Sequence, residues 1–236
     1  MTVLFWDIDG TLLTTGRAGI FAWEDACHDV TGHRTDFQTL NTDGLTDHQV
    51  ARRIIESVGA DAADDALIAR LIHSYETHLP KSLPKRQGRV NPGVKEALQY
   101  FEATRPDVHS MLLTGNTAAG ARAKLTYYGL RQYFEGGAFS EDMGPRGSIA
   151  CRAVDLLRAR FPHAALAVER MFVIGDTPHD IDCAHAIGAR TLAVATGRYS
   201  VADLEAHGAW RVFDQLPEPD VIEMLIDGRA VGFPAR

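Results

Sequence analysis

The sequence predicts an α/β fold in two parts, a parallel sheet covered by helices and an inserted all-helical domain. From Pro92 onward, stretches with helical spacing of apolar residues alternate with short apolar runs, which is typical of a parallel sheet whose strands are joined by helices. Between residues 15 and 88 apolar residues recur at helical spacing, without a convincing strand pattern. We therefore predict a Rossmann-like core domain of residues 1–14 and 89–236, with helices on both faces of its sheet, and a helical domain of residues 15–88.

Short apolar runs mark the predicted strands. Val3 to Trp6 form the first run, of the kind that is buried on both faces of a parallel sheet. Further strands are predicted at Val108 to Leu113, near Phe139, at Met171 to Ile174, at Thr191 to Ala195 and at Trp210 to Phe213. In the helical domain, stripes of apolar residues such as Leu67, Leu71 and Tyr75 indicate helices, and Pro80, Pro84, Gly88 and Pro92 indicate a return segment after them.

Composition excludes several classes of protein. The 236 residues carry a formal charge of -7 and no run rich in lysine or arginine, so we expect no nucleic-acid partner. No apolar run approaches the ~18 residues of a membrane span, and Asp7 interrupts the first run too early for a secretory signal, so we expect no membrane association and a cytoplasmic location. The three cysteines are widely spaced and predict neither disulfides nor a zinc site. We expect a small-molecule ligand and a monomer or homodimer.

Two aspartates, Asp7 and Asp9, follow the first predicted strand. In extended backbone they point to the same side, roughly 6 to 7 Å apart at about 3.3 Å per residue. One phosphorus atom fits between them, with one carboxylate to attack it and the other to protonate the leaving oxygen. Gly10 then allows a sharp turn. An ordinary polar turn explains the same residues, because Asp, Gly and Thr are common in turns.

Polar clusters also follow two later strands. Thr114, Gly115 and Asn116 follow the strand that ends at Leu113, and their hydroxyl and backbone N–H groups lie just before a predicted helix, where an anion is favoured. A simple helix cap at Asn116 or Thr117 is the alternative. Ligands of open parallel sheets bind beyond the carboxyl ends of the strands, so these residues are expected to meet Asp7 and Asp9.

The last cluster is Gly175 to Asp180. Thr177 and Asp180 match a capping box, so Asp180 is predicted to cap a helix and also to orient a cationic side chain. Asp176 has no such capping duty and is predicted to hold a cation beside Asp7. Because Asp7, Asp176 and a phosphate dianion repel one another in a partly desolvated cleft, a divalent cation is required. Oxygen ligands favour Mg²⁺ over Zn²⁺.

These motifs together resemble the haloacid dehalogenase superfamily. The motifs are Asp7-Ile8-Asp9-Gly10-Thr11, the Thr114 that ends Leu112-Leu113-Thr114-Gly115-Asn116, and Gly175-Asp176-x-x-x-Asp180. The helical insert falls where members with a helical cap carry that cap domain. Residues Asp180-Ile181-x-x-Ala184-x-x-x-Gly188 and Val194-Ala195-Thr196-Gly197 are similar to the phosphoglycolate phosphatase-like branch.

The resemblance implies roles for these residues. Asp7 is expected to be the nucleophile that forms an aspartyl-phosphate, and Asp9 the general acid and then the general base. Asp7, the backbone carbonyl of Asp9, and Asp176 are expected to hold Mg²⁺. Because relatives that cleave carbon–halogen or carbon–phosphorus bonds lack an aspartate at the position of Asp9, the expected substrates are phosphate esters.

One motif departs from the family pattern. The superfamily has a lysine upstream of the last aspartate motif, whereas this region reads Gly144-Pro145-Arg146-Gly147. Arg146 is our candidate for this cation, with phosphate binding as its expected role. Lys124 is the rival, although its Cα is expected about 12 Å along a helix from Asn116 at 1.5 Å per residue, a long reach for one side chain.

Two questions stay open at this stage. Residues that select the leaving group are expected in the cap, with Arg17 and Asp43-Gly44-Leu45-Thr46-Asp47 as candidates and a plain helix-start loop as the alternative. We expect a Mg²⁺-dependent phosphatase that acts on phosphoglycolate or a sugar phosphate. The alternatives are a phosphomutase, an inactive phosphate-binding relative and, least favoured, a receiver-like phosphorylation switch.

Overall fold

Six strands of the described part of the chain form one parallel sheet. The computed structural model describes residues 1–37, 40, 42, 44–59, 64–164 and 166–229. The sheet has the order β5-β4-β1-β6-β7-β8, and β2 pairs with β3 in a separate antiparallel ribbon. The strands are β1 (Thr2–Trp6), β2 (Leu13–Thr14), β3 (Arg89–Val90), β4 (Val108–Leu113), β5 (Gly137–Ala138), β6 (Met171–Gly175), β7 (Arg190–Val194) and β8 (Arg211–Phe213).

Helices connect the strands and form the inserted segment. None of the helices within the described ranges is both long enough and apolar enough to cross a membrane. The helices are α1 (Ala18–Thr31), α2 (Asp47–Ser57), α3 (Asp65–Ser82), α4 (Val94–Thr104), α5 (Ala118–Tyr127), α6 (Arg146–Arg160), α7 (Pro178–Ala186), α8 (Val201–Ala206) and α9 (Pro219–Ile226).

The central strand β1 is buried on both faces. Leu4 and Trp6 pack in one apolar cluster with residues of α4, α5 and α9, whereas Val3 and Phe5 pack in another with residues of α6 and α7. Phe5 lies between Met111 of β4 and Val173 of β6 in the parallel register. Alternate residues of a strand point to opposite faces, so the continuous apolar run covers both faces of the sheet.

Helices α1, α2 and α3 share an apolar cluster of their own. The rings of Trp23 and Tyr75 stack in this cluster with centroids 3.9 Å apart. The chain enters and leaves the helical segment through β2 and β3, where Leu13 pairs with Val90 and Thr14 with Arg89. This ribbon places the two connections side by side.

The structure differs from the sequence expectation at three places. Helix α3 continues through Pro80 to Ser82, because Leu79 is buried and the Ser82 hydroxyl donates to the carbonyl of Ala18 at 2.9 Å. The strand expected near Phe139 is β5, which ends one residue earlier. Helices α8 and α9 were not predicted, although α9 buries Ile222 and Leu225.

Substitution of Asn91 tests whether the segment that follows β3 supports the turn after β1. Its side-chain amide is buried and donates to the carbonyls of Gly10 at 2.7 Å and Thr11 at 2.9 Å. We expect Asn91→Ala to lower the free energy of unfolding by about 1–3 kcal/mol, because a buried carbonyl loses its donor. Urea unfolding measures this value. Gln99→Ala, which removes an exposed amide 3.3 Å from the Tyr133 hydroxyl, is the matched control and is expected to change stability by less than about 0.5 kcal/mol. Equal effects of the two substitutions would contradict the proposed support.

Candidate active site

Loops at the carboxyl ends of β1, β4 and β6 meet in one cavity of about 330 Å³. The start of α6 and the helical segment complete its walls. Most of the residues predicted from sequence for the site line this cavity, namely Asp7, Asp9, Thr114, Gly115, Asn116, Arg146 and Asp176, together with Lys124. Asp180 does not line the cavity, but its Oδ1 lies 2.6 Å from Nη2 of Arg146, which does.

Three buried carboxylates form the centre of the site. Asp7 directly follows β1, and its backbone N–H donates to the carbonyl of Ile174 at 3.0 Å, which brings it beside the end of β6. One oxygen each of Asp7, Asp176 and Asp180 lies within 4.8 Å of the others. The guanidinium of Arg146 reaches two of them, with Nη2 3.1 Å from Asp7 Oδ1 and 2.6 Å from Asp180 Oδ1.

Burial and the nearby negative charges disfavour the ionised forms of Asp7 and Asp176. Burial, with the nearby charges of Asp180 and Asp9, raises the pKa of Asp7 to about 6 against the opposing effects of Arg146 and the Thr114 hydroxyl. Burial and the charges of Asp180 and Asp7 raise the pKa of Asp176 well above its usual range. Although burial lowers the pKa of Arg146, the adjacent carboxylates raise it further, so the guanidinium stays charged.

Asp180 is engaged at both of its oxygens. Oδ2 accepts hydrogen bonds from the backbone N–H and the hydroxyl of Thr177, at 3.0 and 2.8 Å, and Oδ1 accepts from Arg146. The carboxylate therefore fixes the start of α7 and orients the guanidinium, which are the two contacts that its position in the sequence suggested. A β-carbon at Gly175 would overlap Asp180, so this approach requires glycine.

Asp176 lies in a tight pocket of backbone. Its Oδ1 accepts a hydrogen bond from the Thr11 hydroxyl at 2.8 Å. A β-carbon at Gly10, whose φ is +86°, or at Gly197 would overlap the Asp176 carboxylate. Two glycines from different loops thus leave the room that the Asp176 side chain needs.

The cluster fits a divalent cation with oxygen ligands. Asp7, Asp176 and Asp180 carry three negative charges when ionised, and the neighbouring Arg146 supplies one positive charge. Because Asp180 is already engaged at both oxygens, Asp7 and Asp176 are the carboxylates left to hold a metal ion. Hard oxygen donors of this kind suit Mg²⁺.

Asp9 lies in a second network, beside Lys124 and Asn116. The Lys124 ammonium is 2.5 Å from Asp9 Oδ2 and 2.5 Å from Asn116 Oδ1, and Asn116 Nδ2 donates to Asp9 Oδ2 at 2.8 Å. Lys124, the rival candidate, therefore does make the long reach that counted against it. Helical side chains lean toward the N-terminus of their helix, so Lys124 extends back along α5 to the loop that precedes it.

The loop after β4 is held from two directions. The Thr114 hydroxyl accepts from Asn116 Nδ2 at 2.8 Å and, more weakly, from the Asn116 N–H at 3.3 Å. Thr117, one of the two alternatives, caps α5 by accepting from the N–H of Gly120 at 3.1 Å. On the other side, the Gly115 carbonyl accepts from the backbone N–H of Asp47, a residue of α2, at 2.8 Å.

Some of the residues that were predicted to select the leaving group lie in the cavity wall. Arg17, Gly44, Leu45 and Asp47 line it, whereas Asp43 is outside the described residues. Thr46 caps α2 in a capping box with Gln49, as the alternative interpretation of this loop predicted. Asp47 is buried and accepts from the N–H of Thr117 at 2.7 Å, and burial raises the pKa of its carboxyl to about 6 although Lys124 opposes this.

Sequence reasoning missed several residues that shape the site. Thr11 and Gly197 stand in the sequence motifs without a predicted role, and neither Asn91 nor Thr196 was a candidate for the site. Both of the latter donate to the Gly10 carbonyl, Thr196 at 2.6 Å. A hydroxyl directly after Asp-Gly was the available signal for Thr11. The quoted motif Val194-Ala195-Thr196-Gly197 was the available signal for Thr196 and Gly197, whereas the contact of Asn91 depends on tertiary packing.

Comparison with known proteins identifies the family. The family model described as haloacid dehalogenase-like hydrolase matches residues 4–185, most of the chain. The chain belongs to this family. This match confirms the resemblance that the sequence motifs indicated. The family description identifies the chain as an enzyme of the hydrolase class.

Two curated proteins are similar in sequence to this haloacid dehalogenase-like hydrolase. Tyrosine-protein kinase PtkA of Mycobacterium tuberculosis is 26% identical over 206 residues, which cover 85% of this chain. The chain spans 64% of the length of that relative. The protein of Dickeya dadantii named probable phosphatase IndB is 24% identical over 221 residues, which cover 92% of this chain and 90% of IndB.

Solved structures share the fold. A predicted phosphoglycolate phosphatase from Haemophilus somnus has a TM-score of 0.72 at 17% identity, covering 95% of this chain and 98% of that one. CbbY from Rhodobacter sphaeroides, in complex with phosphate, has a TM-score of 0.70 at 18% identity, covering 91% of this chain and 95% of that one. The predicted α/β fold with a parallel sheet core and a helical insert is confirmed.

Substitution of Asp176 tests whether repulsion among the buried carboxylates destabilises the metal-free protein. In metal-free buffer with EDTA at pH 8, we expect Asp176→Asn to raise the free energy of unfolding by about 1–3 kcal/mol, because a buried carboxylate beside two others becomes neutral. A carboxyl whose pKa is raised on folding destabilises the protein at pH values above its unfolded-state pKa, so the gain is expected to vanish as the pH falls toward 4.

We expect Mg²⁺ to stabilise the unsubstituted protein and Asp176→Asn to lose this stabilisation. Thermal unfolding with and without Mg²⁺ at several pH values measures both effects. Asp182→Asn is the control, since this exposed aspartate of α7 pairs with His207 at 2.9 Å. A destabilised Asp176→Asn variant at pH 8 would overturn the description.

Proposed function

We propose that the chain is a Mg²⁺-dependent phosphatase that hydrolyses a small phosphorylated metabolite through an aspartyl-phosphate at Asp7. The observation that carries this proposal is the meeting of Asp7 and Asp9 in one cavity, beside the buried cluster of Asp176, Asp180 and Arg146. Family membership supports the reaction class, since the family is one of hydrolases.

In the first step a carboxylate oxygen of Asp7 attacks the phosphorus atom of the ester. The bond between phosphorus and the ester oxygen breaks, and the leaving oxygen takes a proton from Asp9. Arg146 and the Thr114 hydroxyl lie beside Asp7, where they hold the attacking carboxylate and offer donors to the phosphoryl oxygens. Phosphoryl transfer passes through a loose transition state, so positioning and charge neutralisation supply most of the rate.

In the second step water attacks the phosphorus atom of the aspartyl-phosphate. Asp9, now deprotonated, takes a proton from that water, and the bond between phosphorus and the Asp7 oxygen breaks. Inorganic phosphate leaves, Asp7 is again a carboxylate, and Asp9 is again protonated. Asp9 thus serves as acid and then as base, and the covalent intermediate at Asp7 splits a single difficult displacement into two easier ones.

Asp7 and Asp176 would hold Mg²⁺, with the main-chain carbonyl of Asp9 as a further ligand that the family resemblance suggests. Bound there, Mg²⁺ would neutralise the negative charge that the carboxylates and the phosphate bring together. Arg146 contributes the protein's own positive charge at the same place, which explains why it is buried beside two carboxylates.

The cap contacts support a leaving group that is enclosed by α1 to α3 of the helical segment. Arg146 Nη1 donates to the Gly44 carbonyl at 3.2 Å, His48 Nδ1 lies 2.7 Å from the Ser140 hydroxyl, and the Thr117 hydroxyl donates to Glu76 at 2.6 Å. These contacts hold the helical segment against the core, which narrows the access of bulk water to the cavity. Phosphoglycolate and sugar phosphates are the substrates that we would test first, in line with the names of the structural relatives.

The similarity to a protein named as a tyrosine kinase makes phosphoryl transfer to tyrosine a second candidate. This candidate needs a nucleoside triphosphate as donor, whereas the phosphatase and the phosphomutase do not. Incubation with ATP labelled at its γ-phosphate separates them: labelled tyrosine indicates the kinase, labelled free phosphate a hydrolase. An isomerised sugar phosphate would indicate the phosphomutase.

Asp7 tests the nucleophile. With a panel of phosphate esters and Mg²⁺, we expect Asp7→Asn to lower kcat by at least ~10³-fold, since the covalent route is lost, and EDTA to abolish phosphate release by the unsubstituted enzyme. Asp9→Asn is expected to lower kcat by about 10²–10⁴-fold. Release of phosphate is measured against Asp182→Asn, the exposed control on α7. Activity that persists in Asp7→Asn would contradict the proposal.

Substitution of Arg146 tests whether its positive charge beside Asp7 is needed for turnover. We expect Arg146→Met to lower kcat/KM by at least ~10²-fold, because Asp7 loses its ion pair, and Arg146→Lys to recover only part, because one ammonium cannot reach Asp7, Asp180 and the Gly44 carbonyl together. Arg152→Met, on the same helix and partly exposed beside Glu141 and Asp142, is the control. Normal turnover by Arg146→Met would remove Arg146 from the site.

A further inference from the structure

The buried ammonium of Lys124 requires an explanation. The side chain is 5% exposed, and removing an ammonium from water costs several kcal/mol unless close partners replace the solvent. Its partners are Asp9 Oδ2 and Asn116 Oδ1, each at 2.5 Å. An unpaired structural lysine would turn outward, as the exposed Lys95 does.

Two donors converge on one oxygen of Asp9. Lys124 Nζ and Asn116 Nδ2 both donate to Oδ2, whereas Oδ1 accepts no hydrogen bond from any residue that the structure describes. The Asp9 side chain keeps 44% of its surface exposed and lines the cavity. One half of the carboxylate is thus anchored, and the other half is left for a ligand.

The anchor itself is rigid. Asn116 Nδ2 is shared between Asp9 and the Thr114 hydroxyl, and Asn116 Oδ1 accepts from Lys124, so its amide is fixed in one orientation. Helix α5 is fixed by its Thr117 cap and by the buried Ala121 and Leu125, which lie on the same face as Lys124. Lys124 and Asn116 are therefore held by the end of β4 and by a packed helix.

We propose that Lys124 is a positioning residue, which together with Asn116 holds Asp9 Oδ2 so that Oδ1 exchanges the proton with the leaving oxygen. This inference rests on the proposed phosphatase function. The two cations then have different roles, since Arg146 acts on the attacking carboxylate of Asp7 and Lys124 on the proton carrier Asp9. A displaced Asp9 protonates the leaving oxygen poorly, and this loss matters most when the leaving group is a strong base.

Two esters of nearly equal size test the proposal. Phenyl phosphate and 4-nitrophenyl phosphate differ in the basicity of the leaving oxygen, so cap contacts largely cancel in their ratio. We expect Lys124→Met to lower kcat/KM for phenyl phosphate at least ten-fold more than for 4-nitrophenyl phosphate. Asn116→Ala, which removes the other donor without unpairing a buried charge, is expected to change the ratio in the same direction, and Lys95→Met is expected to leave it unchanged.

Arg146→Met provides the contrast, because loss of the cation beside Asp7 is expected to slow both esters equally. A purely structural role of Lys124 would also slow both esters equally, and that result, or no loss at all, would overturn the proposal. If the unsubstituted chain hydrolyses neither ester, the proposed function fails instead. A crystal structure of Lys124→Met then decides: Asp9 Oδ2 still bound to Asn116 Nδ2 would overturn the positioning role, and a rotated Asp9 carboxylate would support it.

Discussion

Repulsion among three buried carboxylates is the constraint on which the rest of the site depends. Asp7 and Asp176 directly follow β1 and β6, Asp180 lies in α7, and one oxygen of each lies within 4.8 Å of the others. Hydrophobic packing of the two central strands forces this proximity, since Phe5 of β1 lies beside Val173 of β6. The fold therefore uses the apolar core to hold together charges that would separate in water, and Arg146 offsets only part of their repulsion.

The two cations of the site serve different carboxylates because they arrive from different elements. Arg146 begins α6 and reaches across to Asp7 and Asp180, whereas Lys124 extends back along α5 to Asp9. From the sequence alone, Arg146 and Lys124 were rivals for one cationic position. The structure contains two cationic positions. Arg146 lies beside Asp7, the nucleophile of the proposed reaction, and Lys124 lies beside Asp9, its proton carrier.

Much of the core could be predicted because its signals are local. Val3–Trp6 and Val108–Leu113 are apolar runs that bury both faces, and a parallel sheet implies that the residues after them share one edge. Helix α9 was missed although its signals are local, since Ile222, Leu225 and Ile226 recur at helical spacing and Pro219 stands at the start of the helix. The reach of Lys124 was misjudged because spacing along a helix ignores the direction in which its side chains lean.

Asp47 was a candidate for the site, but its contacts with the loop after β4 could not be predicted, because they depend on how the helical segment packs against the core. That docking gives the loop after β4 two sets of contacts. On one side Thr114 and Asn116 contact the carboxylates of the core, and on the other the Gly115 carbonyl and Thr117 N–H bind Asp47 of α2. In the proposed reaction, the four consecutive residues Thr114 to Thr117 would therefore contact both the phosphoryl group and the helical segment that encloses the leaving group.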